Sequence, residues 1–259
     1  MQSADLPLLH FDHFARFSDL THFVSQRAGG TSQGNWGDLN LSYHVGDKPE
    51  HVSENRRRLA TALGVPIERL VFARQTHGDE VAVVNEHTSF DNLPEADALI
   101  TNRPGWALCI TAADCVPVLF YDPANHAAGV AHAGWRGTVA RTVTRTIKAM
   151  KQNFGTDPAD VWVGIGPSIS PEVYEVGADV IESVTHAYGE ALNLISPATT
   201  PDKGFLDLWA ANREQLLKAG VPAEQIETSG ICTFRTDAYF SARRQGLASG
   251  RFAGGVLLR

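Results

Sequence analysis

Between residues 107 and 131 the chain places three apolar runs in close succession, Ala107–Thr111, Val116–Tyr121 and Ala127–Ala131. A glycine-rich turn, Gly134-Trp135-Arg136-Gly137, and a helical pattern follow. Runs this short, bounded by turn residues, read as successive strands. Cys115 stands between the first two, and His132 closes the third, seventeen positions later. His77 lies thirty-eight positions before Cys115, in Arg74-Gln75-Thr76-His77-Gly78, also at a predicted strand end. One thiol and two imidazoles can hold zinc while leaving a fourth coordination position open. No two of the three have the local spacing of a zinc finger, so the fold has to assemble the site. The competing reading of each histidine is a hydrogen-bonded imidazole at a strand end.

Helical periodicity predicts helices over about 50–63, 138–153, 177–187 and 207–219. Val52, Leu59, Ala60 and Leu63 share one face of the first, and Val139, Val143, Ile147 and Met150 share one face of the second. Gly64 and Pro66 end the first, and Gly220 and Pro222 end the last, as expected just beyond a helix C-terminus. Strands are expected at about 70–75, 80–85, 97–101, 106–111, 116–121, 127–132, 160–165 and 252–258. Residues 1–20 read as an ordered peripheral arm, and 27–47 as a loop-rich stretch. The segment Ala62–Glu68 is echoed by Lys218–Glu224, each followed by a strand. A duplication and a commonly reused helix stop both explain that echo. The alternation of helices and strands predicts an α/β (α+β) chain, 1–259, with a mixed sheet core flanked by helices in a single domain.

The bulk properties exclude several classes. With 259 residues, 43% of them apolar, the chain can bury a sizeable core. A net charge of −7 and no basic stripe argue against nucleic acid. Arg56-Arg57-Arg58, the densest cationic run, reads as a solvated helix face after Glu54, with an anion site as the alternative. No run approaches the roughly 20 apolar residues that span a bilayer, and the first residues lack a signal-peptide pattern. Three cysteines fit a reducing compartment, so a cytoplasmic location is expected, with no obligate protein partner evident. Cys109, mid-strand, reads as a buried inert thiol; Cys232 reads as core or as a neighbour of the site. Neither a GxGxxG nor a Walker A sequence is present.

The segments RQTHG, TAADCVPVLFYDP, AHAGWRGT, GPSIS and YFSARRQGLASGRFAGGVLL resemble the YfiH family, also called the multicopper polyphenol oxidase or laccase-domain family. The resemblance runs from about Thr31 to the C-terminus. It implies that His77, Cys115 and His132 are metal ligands. It also implies zinc-dependent purine nucleoside chemistry: phosphorolysis of adenosine, inosine and methylthioadenosine, and deamination of adenosine. Some members are described as peptidoglycan editing factors. Asn40, His44 and Asp47 match a recurring family segment whose polarity suits sugar hydroxyls or turn chemistry. Arg243 and Arg244 fall in the matching tail, where an anion contact and a structural ion pair stay open.

The residues themselves refine these expectations. Zinc lowers the pKa of bound water from 15.7 to about 7 and polarises oxygens, which suits deamination and can assist phosphorolysis. The turn after His132 opens a predicted helix, so Arg136 and its free N–H groups are a candidate phosphate cradle; the alternative is a tight turn with a surface charge. Asp114 is an acid/base candidate beside the thiol or points away from it. Arg74 and Gln75, next to His77, are candidate pocket walls. A multicopper oxidase demands clustered histidines and commonly an axial Met; the chain has no His-x-His pair and only Met1 and Met150, so copper is disfavoured. Two other readings stay open: a metal-free cysteine hydrolase using Cys115 and His132, and a protein that screens cell-wall precursors.

Overall fold

The structure, a computed structural model, describes residues 6–88, 95–189 and 193–259. In chain order the elements begin with β1 (Leu8–Leu9), β2 (Leu20–Ser25), α1 (Pro49–Leu63), β3 (Leu70–Phe72), β4 (Val81–Val83) and β5 (Ala98–Thr101). Next come β6 (Ala107–Ala112), β7 (Val116–Asp122), β8 (Ala127–Ala133), α2 (Trp135–Val139), α3 (Thr142–Phe154), β9 (Trp162–Ile165) and β10 (Glu175–Gly177). The chain ends with α4 (Ala178–Tyr188), β11 (Ile195–Pro197), β12 (Lys203–Leu206), α5 (Leu208–Ala219), β13 (Ile226–Thr228), α6 (Ala242–Gln245) and β14 (Phe252–Leu258).

Two mixed sheets pack face to face. One has the order β1-β2-β14-β6-β3 and the other β13-β9-β7-β8-β5-β4; a small sheet, β10-β12-β11, lies apart. Leu108, Ile110 and Val256 of the first sheet meet Leu119, Tyr121 and Val130 of the second in the core between them. On the far side of the second sheet, Val116, Val118 and Phe120 pack with Val143, Ile147 and Met150 of α3 and Leu216 of α5. On the far side of the first, Leu59 and Leu63 of α1 cover Cys109, Ala253 and Leu257. The central strands are therefore apolar on both faces, and that is why β7, β8 and β14 read as continuous runs rather than alternating ones.

Three features depart from the sequence reading. The helix expected over 138–153 is divided, because Arg141 sits at φ 69° between α2 and α3. The apolar spacing of Val139, Val143, Ile147 and Met150 runs through that break and conceals it. β2, interrupted by Thr21 and His22, carries no clean strand pattern, yet it is an inner strand paired with β14. Residues 1–5 of the expected arm lie outside the described residues, while Phe11 and Phe14 farther along are 1% exposed. Phe11 packs on Gly164 of β9, where a Cβ would come within 2.6 Å of the ring. No described helix is long and apolar enough to cross a membrane.

Candidate metal centre

The two sheets meet at a seam, and the candidate ligands lie on it. His77 lies in the loop between β3 of the first sheet and β4 of the second, Cys115 closes the connection from β6 to β7 between the sheets, and His132 lies near the end of β8. Asp114 turns the chain ahead of Cys115 at φ 85°, a left-handed conformation that Asp tolerates better than most residues. Its carboxylate accepts from Thr233 Oγ1 and from the Arg243 N–H, both at 2.7 Å. The C-terminal segment thus fixes the turn that presents the thiol.

The ligand atoms of His77, Cys115 and His132 all lie within 4.8 Å of one another. Tetrahedral zinc with ordinary Zn–N and Zn–S bonds separates its ligands by roughly 3.3–3.7 Å, so modest side-chain adjustment closes the set. The rings of the two histidines meet nearly edge-on, at 84° and 4.9 Å between centroids. Glycine is required beside them: a Cβ on Gly134 would stand 2.8 Å from Cys115 Sγ. A thiol and two imidazoles converging without intervening side chains fit a metal ion.

Asp97, a residue the sequence reading passed over, holds this arrangement. Fully buried, it accepts hydrogen bonds from the backbone N–H groups of Thr76, His77 and Gly78 at 3.0, 3.1 and 2.7 Å. It also lies 2.8 Å from His132 Nδ1. One carboxylate therefore positions the loop bearing one imidazole and orients the ring of the other, leaving His132 Nε2 for a metal. The available signal was an Asp heading the apolar strand Ala98–Ile100, where a buried carboxylate must find partners.

The electrostatics follow from these contacts. Burial raises the Cys115 thiol, but the charges and hydrogen bonds of His132 and His77 outweigh it and bring the thiol down to about 6. Burial lowers His132, yet Cys115 and Asp97 overcome that and carry it up to about 9. Burial raises Asp97, while its bonds to His132, Gly78 and Thr76 hold it down at about 2. These contacts favour the thiolate form of Cys115 and the protonated form of His132, with the Asp97 carboxylate behind them.

A cleft of about 660 Å³ opens beside the ligands, lined in part by His44, Arg56, Arg74, Gln75 and Arg251. Arg74 and Gln75 thus lie on its wall, Arg74 ion-paired with Glu95 and Gln75 bonded through its amide to Thr111. His44 lines it as well. Asn40 does not: it is fully buried, with its amide bonded to Ser42, Asp47 and the Arg251 N–H. Asp47 accepts from Ser32 and Asn40, knitting the loop-rich stretch together. Arg136 and Arg243 are exposed outside the cleft lining, over the rings of Trp135 and Tyr174. Arg244 donates to the carbonyls of Thr233, Phe234, Thr236 and Tyr239. Cys109 is fully buried, and Cys232 lines a separate cleft with Ser170 and Trp209. The solvated face expected for 56–58 needs correcting: Arg57 and Arg58 pair with Glu54, but Arg56 is buried and turned to the cleft. Arg56 lies four residues after Val52 and three before Leu59, so helical spacing puts it on the buried face of α1.

The family described as "Multi-copper polyphenol oxidoreductase laccase" matches residues 21–259. The chain is 40% identical to "Purine nucleoside phosphorylase" of Bacteroides thetaiotaomicron, covering 98% of this chain and 97% of that protein. It is 36% identical to "Adenosine deaminase RL5" from an unknown prokaryotic organism, with 84% and 86% covered. The crystal structure of Bacillus licheniformis hypothetical protein YfiH superposes with a TM-score of 0.91 at 32% identity, covering 99% of this chain and 97% of that one.

Proposed function

Because the chain belongs to the family described as multi-copper polyphenol oxidoreductase laccase, with relatives named for purine nucleoside chemistry, we propose that it is a zinc-dependent purine nucleoside phosphorylase that also deaminates adenosine. The observation that carries this reading is the convergence of His77, Cys115 and His132 on the wall of a cleft of about 660 Å³. That volume is of the size that encloses small organic ligands, about 300–1,000 Å³. Adenosine, inosine and methylthioadenosine are the expected nucleosides, and the cytoplasm the expected location.

His77, Cys115 and His132 are the proposed zinc ligands, and zinc held there would supply Lewis acidity. The protein's own groups prepare it. The depressed thiol of Cys115 is available as thiolate, and Asp97 fixes the His132 tautomer through Nδ1. His44, Arg74 and Gln75 line the space a nucleoside would occupy; Asn40 shapes it from behind by ordering the 40–47 segment. Asp114 is proposed to position the thiol through its turn, and Arg136 and Arg243 to lend positive potential near it. In phosphorolysis a phosphate oxygen forms a bond to the ribose anomeric carbon. The glycosidic C–N bond breaks, the base leaves with the electron pair and takes a proton, and ribose 1-phosphate remains. Holding the two substrates in reach can contribute up to about 7–11 kcal/mol of barrier reduction.

Zinc rather than copper is proposed because Met150, the methionine within the described residues, is buried among the α3-side core residues instead of standing as an axial ligand. The test is incubation of zinc-loaded protein with each nucleoside, with and without phosphate, following free base, ribose 1-phosphate and inosine. Phosphate-dependent release of base is expected, and it should vanish together with zinc content in Cys115→Ala and His132→Ala. Full zinc occupancy in both folded variants would sink the ligand assignment. One observation favours a second reading: the Cys115–His132–Asp97 alignment is also that of an activated thiol nucleophile. Amide or ester hydrolysis that survives metal chelation and is blocked by thiol alkylation would select it. Absence of both activities would favour cell-wall precursor screening.

A further inference from the structure

Arg56 is in an unusual position for a cation. It is 8% exposed, and its guanidinium carbon lies 3.9 Å from the Phe72 ring centroid and 4.5 Å from that of Tyr43. Its Nε donates to the Leu41 carbonyl at 2.9 Å. Among the described residues its two terminal nitrogens donate to nothing, and no carboxylate lies within ion-pair distance. An arginine has five N–H donors, so four remain uncommitted. Burying a cation without a counter-charge is destabilising, and proteins ordinarily pair such groups. Burial lowers Arg56 to about 10, partly offset by Tyr43, so it remains cationic near neutrality.

The other cations around the site are already occupied or lie elsewhere. Arg74 is neutralised by Glu95. Arg251, also on the cleft wall, spends its terminal nitrogens on the carbonyls of Leu247, Ser249 and Gly250 and on the Ser249 hydroxyl. Arg136 and Arg243 sit outside the lining, and Arg57 and Arg58 pair with Glu54 on the helix surface. Arg56 therefore brings a full charge and free donors to the same cleft as His77, Cys115 and His132.

We infer that Arg56 binds the oxyanion substrate, inorganic phosphate, inside the cleft, with Tyr43 and Phe72 holding the guanidinium in place. The inference rests on the phosphorylase reading and adds to it the residue that takes the anion. A neutral nucleoside offers no charge to match a buried cation, whereas phosphate offers charge and acceptor oxygens in the geometry that guanidinium groups bind bidentately. Deamination needs only water, so it has no use for Arg56.

The experiment compares zinc-loaded wild type with Arg56→Ala, Arg56→Lys and Tyr43→Ala, and with Arg57→Ala as a surface control. Two activities are measured: inosine phosphorolysis over a range of phosphate concentrations, and adenosine deamination without phosphate. Loss of charge-assisted hydrogen bonds should raise the KM for phosphate in Arg56→Ala by about 10- to 150-fold. The KM for inosine and the rate of deamination should hold. Arg56→Lys should fall between, because an ammonium keeps the charge but not the bidentate edge. Tyr43 is 40% exposed, so Tyr43→Ala keeps the fold testable should Arg56→Ala unfold; a smaller rise in phosphate KM is expected from it. Inorganic phosphate alone should raise the Tm of wild type, and that shift should disappear in Arg56→Ala and shrink in Arg56→Lys. An unchanged phosphate KM and Tm shift in the folded Arg56 variants would overturn the inference while leaving the phosphorylase reading intact. So would a rise in nucleoside KM instead. Deamination by wild type with no phosphate-dependent product would instead remove the phosphorylase reading, and the inference with it.

Discussion

The helix–glycine–proline–strand units at 49–72 and 208–228 adopt the same local structure and do opposite jobs. In each, a helix ends at a left-handed glycine, Gly64 at φ 67° or Gly220 at φ 100°. The next valine donates back to the helix, Val65 to Ala60 and Val221 to Leu216, both at 3.0 Å. A single 3-10 turn then leads into a three-residue strand that pairs in parallel at the edge of a sheet: β3 on β6, and β13 on β9. Eight residues before each glycine stands a buried polar side chain, Arg56 or Asn212. In the second unit Asn212 donates to Leu208 and Thr138, and Gln215 donates to the Thr138 carbonyl, bracing the turn that follows His132. In the first, Arg56 faces a cleft with most of its donors uncommitted among the described residues. The shared backbone therefore specifies architecture, and the buried polar residue decides whether a unit supports the site or serves a ligand.

The largest effect should come from Asp97, which joins the two halves across the seam. Asp97→Asn removes the charge that orients His132 and weakens the anchor of the His77 loop. Zinc affinity should drop by about 10- to 100-fold, the usual consequence of losing an outer partner of a metal-bound histidine. Competition with a chromophoric chelator measures it; undiminished affinity would mean that the ligands hold their places without the seam.

Gln215→Leu probes the bracing unit. It strips the Thr138 carbonyl and the Thr144 hydroxyl of a partner in a buried setting. A loss of about 1–3 kcal/mol is expected from denaturant midpoints at unchanged slope. If the loss is negligible, Tyr188, which also donates to the Thr138 carbonyl, braces the turn alone.

A smaller effect concerns how the N-terminal segment ties the sheets together. Burial, with added repulsion from His10 and His13, lowers His22 from 6.5 to about 4, and its Nε2 accepts the Phe11 N–H at 2.7 Å. A depressed histidine contributes stability that is complete above the unfolded value and is lost as pH falls through the folded one. His22 should therefore weaken the fold between pH 6.5 and about 4, by about 1 kcal/mol at roughly pH 5.5. His22→Gln should flatten that part of the stability–pH curve. An unchanged slope would show that His22 is not the group responsible.

The smallest change should be Arg56→Met without ligand. Removing an uncompensated buried cation offsets the lost Leu41 bond and ring contacts, leaving stability within about 1 kcal/mol of wild type. A loss as large as that of Gln215→Leu would make the two units alike after all, with Arg56 a structural brace.

Much of this molecule could be read before its fold was known. The apolar runs 107–111, 116–121 and 127–131 locate strands because burial on both faces leaves few polar positions. Gly64-Val65-Pro66 and Gly220-Val221-Pro222 mark helix ends because a left-handed residue followed by proline cannot continue a helix. His77, Cys115 and His132 stand out through rare chemistry beside expected strands, although His77 falls in the loop between β3 and β4 rather than at a strand end. The rest depends on distance along the chain being erased. Asp97 meets His132 thirty-five residues away and Asp114 meets Arg243 at a separation of 129, contacts that no local pattern encodes. β2 joins the core only because β14, more than 200 residues later, completes its hydrogen bonds. Arg56 and Arg57 are neighbours of the same type, yet one is buried beside a cleft and the other paired in solvent. Helical geometry turns adjacent residues by about 100°, which puts Arg56 on the face with Val52 and Leu59 and Arg57 off it, and the packing of α1 on its sheet then sets Arg56 on a cleft wall.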